Sequence, residues 1–222
     1  MTDFNKKDTR FVWHPYTSLS DQRENIFIES AKGIYLYTPE GRKILDAVSS
    51  WWVNIHGHSN EYIADAIARQ ARKLEHVIFA GFTHEPAITL AERLLEILPG
   101  SQEKIFYSDN GSTAVEVAMK MSLQYWYNQG IDKKRIVAIH GAYHGDTFGA
   151  MSAGARSEFT RPFSSYLFDV SFIDFPNGEN KMEVLEQFST VAKNGDVAAF
   201  IYEPLVQGTA GMRVYSSEIL DK

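Results

Sequence analysis

The chain has 222 residues, 44% hydrophobic, 13% aromatic and 23% charged, with a formal net charge of −6. That is length for one large domain or two small ones, and the aromatic content excludes global disorder. The acidic balance argues against nucleic-acid binding, and the absence of cysteine excludes a disulfide scaffold, a Cys-ligated zinc and a thiol nucleophile.

Residues 1–25 read as polar and irregular, apart from the aromatic knot Phe11-Val12-Trp13-His14-Pro15-Tyr16. Extended runs follow at Ile26–Glu29, Gly33–Tyr37 and Lys43–Ala47, with Pro39-Glu40-Gly41-Arg42 as a hairpin turn between the last two. They predict a small antiparallel β unit. Asn60 is placed to cap a helix running to about His76, with Ile63, Ala66, Ile67 and Ala71 on one face. Pro86 suits the first turn of a second helix, whose stripe is Leu90, Leu94, Leu95 and Leu98 and which Pro99-Gly100 stops.

Strands and helices then alternate. Lys104–Ser108 reads as a strand, Asp109-Asn110-Gly111-Ser112 as a tight turn, and Thr113–Tyr127 as a helix with Val115, Met119 and Leu123 at spacing four. Further strands are expected at Arg135–His140, Asp169–Ile173 and Val197–Tyr202, and a helix at Lys181–Lys193. Strands without polar alternation are buried on both faces, which predicts a parallel sheet covered by helices, an α/β fold. Ser216 or Ser217 looks like the cap of one helical turn ending at Lys222. A lone turn is unstable in water, so the polypeptide is expected to continue or to be completed by a second chain.

Three places carry chemical signals. The turn at Gly111-Ser112, opening a helix, offers backbone N–H groups, a positive dipole end and a hydroxyl, which suits a phosphate. From the local pattern alone, an ordinary capped helix is the more common explanation. Tyr143, in the loop Gly141-Ala142-Tyr143-His144-Gly145-Asp146-Thr147 after a buried strand, offers a flat face where open α/β sheets bind ligands, or is a packing tyrosine. His144 reads as a base or as a loop histidine bonded to backbone. Trp51 and Trp52 are adjacent; in a strand they point to opposite faces, so that one packs while the other lines a pocket. His56-Gly57-His58 lacks the carboxylate partners of a metal site, so no metal is expected. No GxSxG, GxGxxG or Walker motif is present.

Together these residues resemble the N-terminal half of the class III pyridoxal-phosphate aminotransferases. The resemblance rests on Trp13-His14-Pro15-Tyr16-Thr17-Ser18, on Ser49-Ser50-Trp51-Trp52 with Ile55-His56-Gly57, and on Gly111-Ser112 through Val115-Glu116-Val117-Ala118-Met119-Lys120. It extends to Tyr143-His144-Gly145-Asp146-Thr147-Phe148-Gly149-Ala150-Met151-Ser152 and to Glu203-Pro204 with Gln207-Gly208. Within that family the WHPYTS and SSWW motifs resemble the branch that makes 7,8-diaminononanoate from 8-amino-7-oxononanoate, with S-adenosylmethionine as amino donor, in biotin biosynthesis.

The resemblance implies the fold-type I architecture, with residues 1–55 belonging to the small domain and 56–222 to a partial large domain that binds pyridoxal 5'-phosphate. It implies that Gly111 and Ser112 hold the cofactor phosphate, that Tyr143 stacks on its ring and borders the substrate, that Trp51 lines the pocket for 8-amino-7-oxononanoate, and that Tyr16 contacts that substrate and stacks on the adenine of S-adenosylmethionine. Asp146 and Glu203 lie near the site in relatives. None of the twelve lysines has the context of the family's Schiff-base lysine, so the chain alone is expected to be inactive. A homodimer when full length and a cytoplasmic location are also implied. The rival readings are another class III ω-aminotransferase, which would lack the Tyr16 and Trp51 pair, and a non-catalytic fragment that binds a partner half.

Overall fold

Only part of the polar opening is irregular. In a computed structural model, which describes residues 3–20 and 24–222, its first part forms helix α1 (Asp3–Phe11). No apolar stripe announces this helix. Asp3 in the first turn and Arg10 in the last complement the helix dipole, Lys7 reaches back to Asp3 at 2.6 Å, and Phe4 stacks on Phe27 with ring centroids 5.1 Å apart.

The antiparallel unit forms as expected, with its first strand displaced. β1 is Ser30–Lys32, after the expected Ile26–Glu29, although the Glu29 N–H already donates to the Tyr37 carbonyl. β2 (Tyr35–Tyr37) and β3 (Lys43–Leu45) complete the order β1-β2-β3. The turn is closed by the Gly41 N–H on the Thr38 carbonyl at 2.9 Å, with Gly41 at φ +80°. A four-residue helical segment, α2 (Ser49–Trp52), follows. Then come α3 (Glu61–Lys73), capped by the Asn60 side chain on the Ile63 N–H, and α4 (Glu85–Ile97), capped by His84. Ile67 on α3 and Leu90 on α4 stay exposed.

Contacts divide the chain into the units Met1–Leu98 and Pro99–Lys222. The second holds a parallel sheet of order β5-β4-β6, from β4 (Arg135–Ile139), β5 (Ser171–Ile173) and β6 (Val197–Ile201). The expected parallel sheet is thus present. Residues 104–108 do not join it or any other sheet of the described residues. A short apolar run becomes a strand only when a neighbour takes its N–H and C=O groups, and that neighbour is not written in the run itself.

β4 explains why its sequence does not alternate. Ile136 and Ala138 pack with Met119 and Ala153 on one face, while Val137 and Ile139 pack with Ile173 and Val184 on the other. Met119 comes from α5 (Gly111–Asn128), and Ala153 follows α6 (Phe148–Ser152); Val184 comes from α7 (Lys181–Lys193). Both faces are covered, so every position past Arg135 is buried. A two-stranded ribbon, β7 (Val206–Gln207) with β8 (Arg213–Val214), follows β6. The last turn, Ser217–Ile219, is a 3-10 helix capped by the Ser216 hydroxyl on the Glu218 N–H.

Candidate functional site

In the first unit, the two aromatic residues singled out by the sequence come together. The Tyr16 and Trp51 ring centroids lie 5.5 Å apart at an interplanar angle of 42°. The two residues are 69% and 65% exposed, so each presents surface to an incoming molecule. The Tyr16 end is held by its neighbours: Trp13 Nε1 donates to the Thr17 carbonyl at 3.1 Å, Thr17 Oγ1 donates to the His14 carbonyl at 2.6 Å, and His14 Nε2 meets Asp8 at 2.9 Å.

The Trp51 end is unusual and corrects the expectation of a strand. Ser49, Ser50, Trp51 and Trp52 have φ of +49°, +46°, +65° and +70°. They form a left-handed turn, in which the Trp52 N–H donates to the Val48 carbonyl at 2.8 Å. Each L-residue in that conformation costs roughly 1–2 kcal/mol from the crowding of Cβ against backbone. Asp46 supplies a compensating anchor. Its carboxylate accepts from the Ser50 hydroxyl at 2.8 Å and meets His58 Nε2 at 2.7 Å. Hydrogen bonds from the Ser50 N–H, His58, the Ser50 hydroxyl and the Val48 N–H pull its carboxyl down to about 2, against the opposing effect of burial. The Asp46 and His58 side chains are only 6% and 13% exposed. His58 is in turn fixed by reciprocal backbone bonds with Gly33. Gly57, at φ +80°, lets the chain pass there: a Cβ would lie 3.1 Å from the Gly33 Cα. With His58 Nε2 committed to Asp46, the His56-Gly57-His58 run is a structural clasp.

A pH effect follows. The folded carboxyl sits below its ordinary value of 3.8, so its contribution is complete above about pH 4 and is lost as pH falls through about 2. A carbon-13 titration of labelled carboxyls in the full-length protein, assigned with Asp46→Asn, is expected to show a midpoint near 2. A midpoint at or above the ordinary value contradicts the anchor.

In the second unit, α5 begins with a reciprocal cap. Asn110 Oδ1 accepts from the Thr113 N–H at 2.9 Å, and Thr113 Oγ1 accepts from the Asn110 N–H at 3.3 Å. The N–H groups of Gly111 and Ser112, in the first turn, have no acceptor within the helix. A Cβ built on Gly111 would meet nothing within 4 Å, so the approach is open. Ser112 Oγ accepts from the Asp146 N–H at 3.1 Å, which leaves its own hydrogen to donate to an anion. The Asp109 carboxylate is turned to the Thr113 hydroxyl and the Asn110 side-chain amide, which hold it below its ordinary pKa.

Gly145 is what lets the Tyr143 loop settle on this helix. At φ +129°, a Cβ there would lie 2.1 Å from Ser112 Oγ and 2.9 Å from Ser112 Cα. Tyr143 is braced at both ends: its N–H donates to Glu203 Oε1 at 2.9 Å, and its hydroxyl donates to Asp146 Oδ2 at 2.9 Å. Glu203 also accepts from the Gly208 N–H at 2.9 Å through Oε2. Both of its oxygens are therefore occupied by backbone donors, and its place is that of a brace between the loops after β4 and β6. Burial holds the His144 imidazole below its ordinary pKa, with Glu203 opposing. Its Nε2 has no hydrogen-bond partner among the described residues.

Two further residues, present in the motifs above but assigned no role there, brace these segments. Glu116 accepts from Thr147 Oγ1 at 2.6 Å and from the Gly149 and Ala150 N–H groups at 2.7 and 3.1 Å, which caps α6. Its position one turn after Ser112 on the same helix face was the available signal. Gln207 is 1% exposed, donates to the His140 carbonyl at 3.1 Å and accepts from Arg213 at 2.8 Å.

Residues 17–222 match the family model described as aminotransferase class-III. The chain is 51% identical, over 95% of its length, to the adenosylmethionine-8-amino-7-oxononanoate aminotransferase of Synechococcus elongatus, and covers 52% of that protein. The enzyme of the same name from Methanocaldococcus jannaschii superposes with a TM-score of 0.90 at 36% identity, covering 98% of this chain and 50% of the other. An omega transaminase from Pseudomonas jessenii, solved in complex with PMP, superposes at 0.88 with 27% identity over 99% of this chain and 52% of the other. The α/β fold expected from the sequence, fold-type I, is the fold of these neighbours. The chain spans about half the length of the relatives it matches. With a family match across nearly its whole length, this chain belongs to the class-III aminotransferases.

Proposed function

We propose that the protein of which this chain forms about half transfers an amino group from S-adenosylmethionine to 8-amino-7-oxononanoate, giving 7,8-diaminononanoate for biotin synthesis. The observation that carries this reading is the 51% identity to a relative of that name, against 27% to an omega transaminase. The Tyr16 and Trp51 pair supports it, as an exposed aromatic wall of the kind a long methylene chain or an adenine would cover. On this reading, residues 1–55 belong to the small domain, and the full-length protein is a cytoplasmic homodimer.

Class-III aminotransferases use pyridoxal phosphate, and the second unit fits its phosphate. The fit rests on the open approach over Gly111, the two first-turn N–H groups and the Ser112 hydroxyl hydrogen. When bound, the cofactor supplies an electron-withdrawing ring that makes a proton at the amine-bearing carbon removable. Gly111 and Ser112 donate to its phosphate. Tyr143 presents a ring face, held through its N–H by Glu203 and through its hydroxyl by Asp146. Trp51 covers the methylene chain of the oxo-nonanoate, and Tyr16 contacts each substrate in turn; together they exclude water from it.

Ser112→Ala in the full-length protein is expected to weaken cofactor binding about tenfold or more, since a hydrogen bond to a charged group is worth ~1.5–3 kcal/mol. Titration of the cofactor-free protein measures this; unchanged affinity would make the loop a helix cap alone. The substrate reading is tested by following product formation with S-adenosylmethionine or with β-alanine as donor. S-adenosylmethionine is expected to be preferred, and preference for the short ω-amino acid overturns the proposal in favour of another ω-aminotransferase.

A further inference from the structure

The left-handed turn at Ser49–Trp52 is the most costly backbone arrangement described in the first unit, and it carries the aromatic face read above as substrate wall. Four successive non-glycine residues with φ between +46° and +70° have no intrinsic preference for that conformation. A chain released there would relax to a right-handed or extended form, and the Trp51 ring would leave its place 5.5 Å from Tyr16. Something outside the turn must select the hand.

The contacts identify it. Asp46 precedes the turn and is pinned by its own N–H on the Ile34 carbonyl at 2.9 Å. Its carboxylate accepts from the Ser50 hydroxyl at 2.8 Å and from the Ser50 and Val48 N–H groups. Its other tie is His58 at 2.7 Å, whose backbone is paired with Gly33 in both directions. The carboxylate therefore gathers donors from the start of the turn and fastens them to a histidine whose backbone is paired with Gly33, between β1 and β2. A short acidic side chain that accepts from N–H groups two and four positions ahead favours a bend over a continuing strand. Its burial leaves these donors as its partners in place of water.

We propose that Asp46, clasped by His58, is a positioning residue that selects the left-handed form of Ser49–Trp52 and so fixes Trp51 against Tyr16 for recognition of the oxo-nonanoate chain. The assignment of substrate rests on the function proposed above; the conformational part rests on the geometry alone. Trp51 meets the body of the substrate and not the reacting carbon. Losing its position should therefore raise KM with kcat largely kept, the mark of binding shared by ground state and transition state.

The experiment uses the full-length protein with its cofactor, labelled with 5-fluorotryptophan, and Trp51→Phe assigns the Trp51 fluorine resonance. Asp46→Ala is expected to shift or broaden that resonance and to raise KM for 8-amino-7-oxononanoate about tenfold. Glycine adopts the left-handed form without steric cost, so adding Ser49→Gly to Asp46→Ala should recover a large part of both effects. General loss of stability would not be repaired in that way. Should Asp46→Ala fail to fold, Ser50→Ala removes a single donor and is expected to shift the resonance and raise KM about threefold. A resonance unmoved in the folded variants overturns the proposal, as does failure of Ser49→Gly to restore a shifted one. If Trp51→Ala leaves KM unchanged while Asp46→Ala still moves the resonance, the substrate reading fails and the positioning role stands.

Discussion

Gly145→Ala in the full-length protein is expected to lower affinity for pyridoxal phosphate by about a hundredfold or more, a larger loss than Ser112→Ala, because it displaces the seat and does not merely remove one donor. The new methyl would meet Ser112 at both Oγ and Cα, 2.1 and 2.9 Å away. The hydroxyl can rotate away, but the Cα belongs to the first turn of α5 and cannot move without carrying the Gly111 and Ser112 N–H groups with it. Overpacking of this kind costs typically 1–3 kcal/mol, and a left-handed backbone on an L-residue adds roughly 1–2 kcal/mol. Cofactor titration and thermal unfolding, with and without cofactor, measure the effect. Wild-type affinity in the variant would show that the Tyr143 loop does not rest on the α5 terminus in solution.

Trp51→Ala is expected to act on the other half of the chemistry. Burial of a methylene chain is worth ~0.8 kcal/mol per CH₂, and an aromatic stack adds ~0.5–1.5 kcal/mol. Removing the indole should cost the oxo-nonanoate half-reaction at least about tenfold in kcat/KM, or 1.4 kcal/mol. Tyr16→Phe keeps the ring and removes the hydroxyl, and is expected to alter both half-reactions, since on the proposed function the two substrates take turns against this ring. Single-turnover rates with each substrate separate these effects. If neither change affects either rate, the aromatic pair is not the substrate wall.

The parts of this fold that were legible in the sequence are those set by neighbours in the chain. Asn60 and Asn110 cap the helices that follow them, and the turn ending at Gly41 closes a hairpin. The unalternating run at β4 is buried on both faces. The parts that were not legible depend on partners distant in sequence. Residues 104–108 look like a strand, but strand formation depends on pairing. The hand of the Trp51 turn is tied to His58, which nothing in Ser49-Ser50-Trp51-Trp52 announces. Helix α1 carries its signal in charges and not in apolar spacing. In the candidate site, Gly111, Ser112 and Tyr143 could be singled out because a helix start and a strand end are local events. Glu116 and Gln207 could not be assigned a role because their partners lie 31 and 67 residues away.

The two-sided packing of β4 has a consequence for how this protein can change over time. Val137 and Ala138 are covalent neighbours, yet one answers to the α7 side and the other to the α5 side. A substitution that reshapes the packing of Val184 or Ile173 has its compensating positions on that side, and the helix that opens at Gly111 is on the other. The strand thus works as a firewall: volume can drift on the α7 side while the side that begins at the proposed anion seat stays under its own, separate constraint.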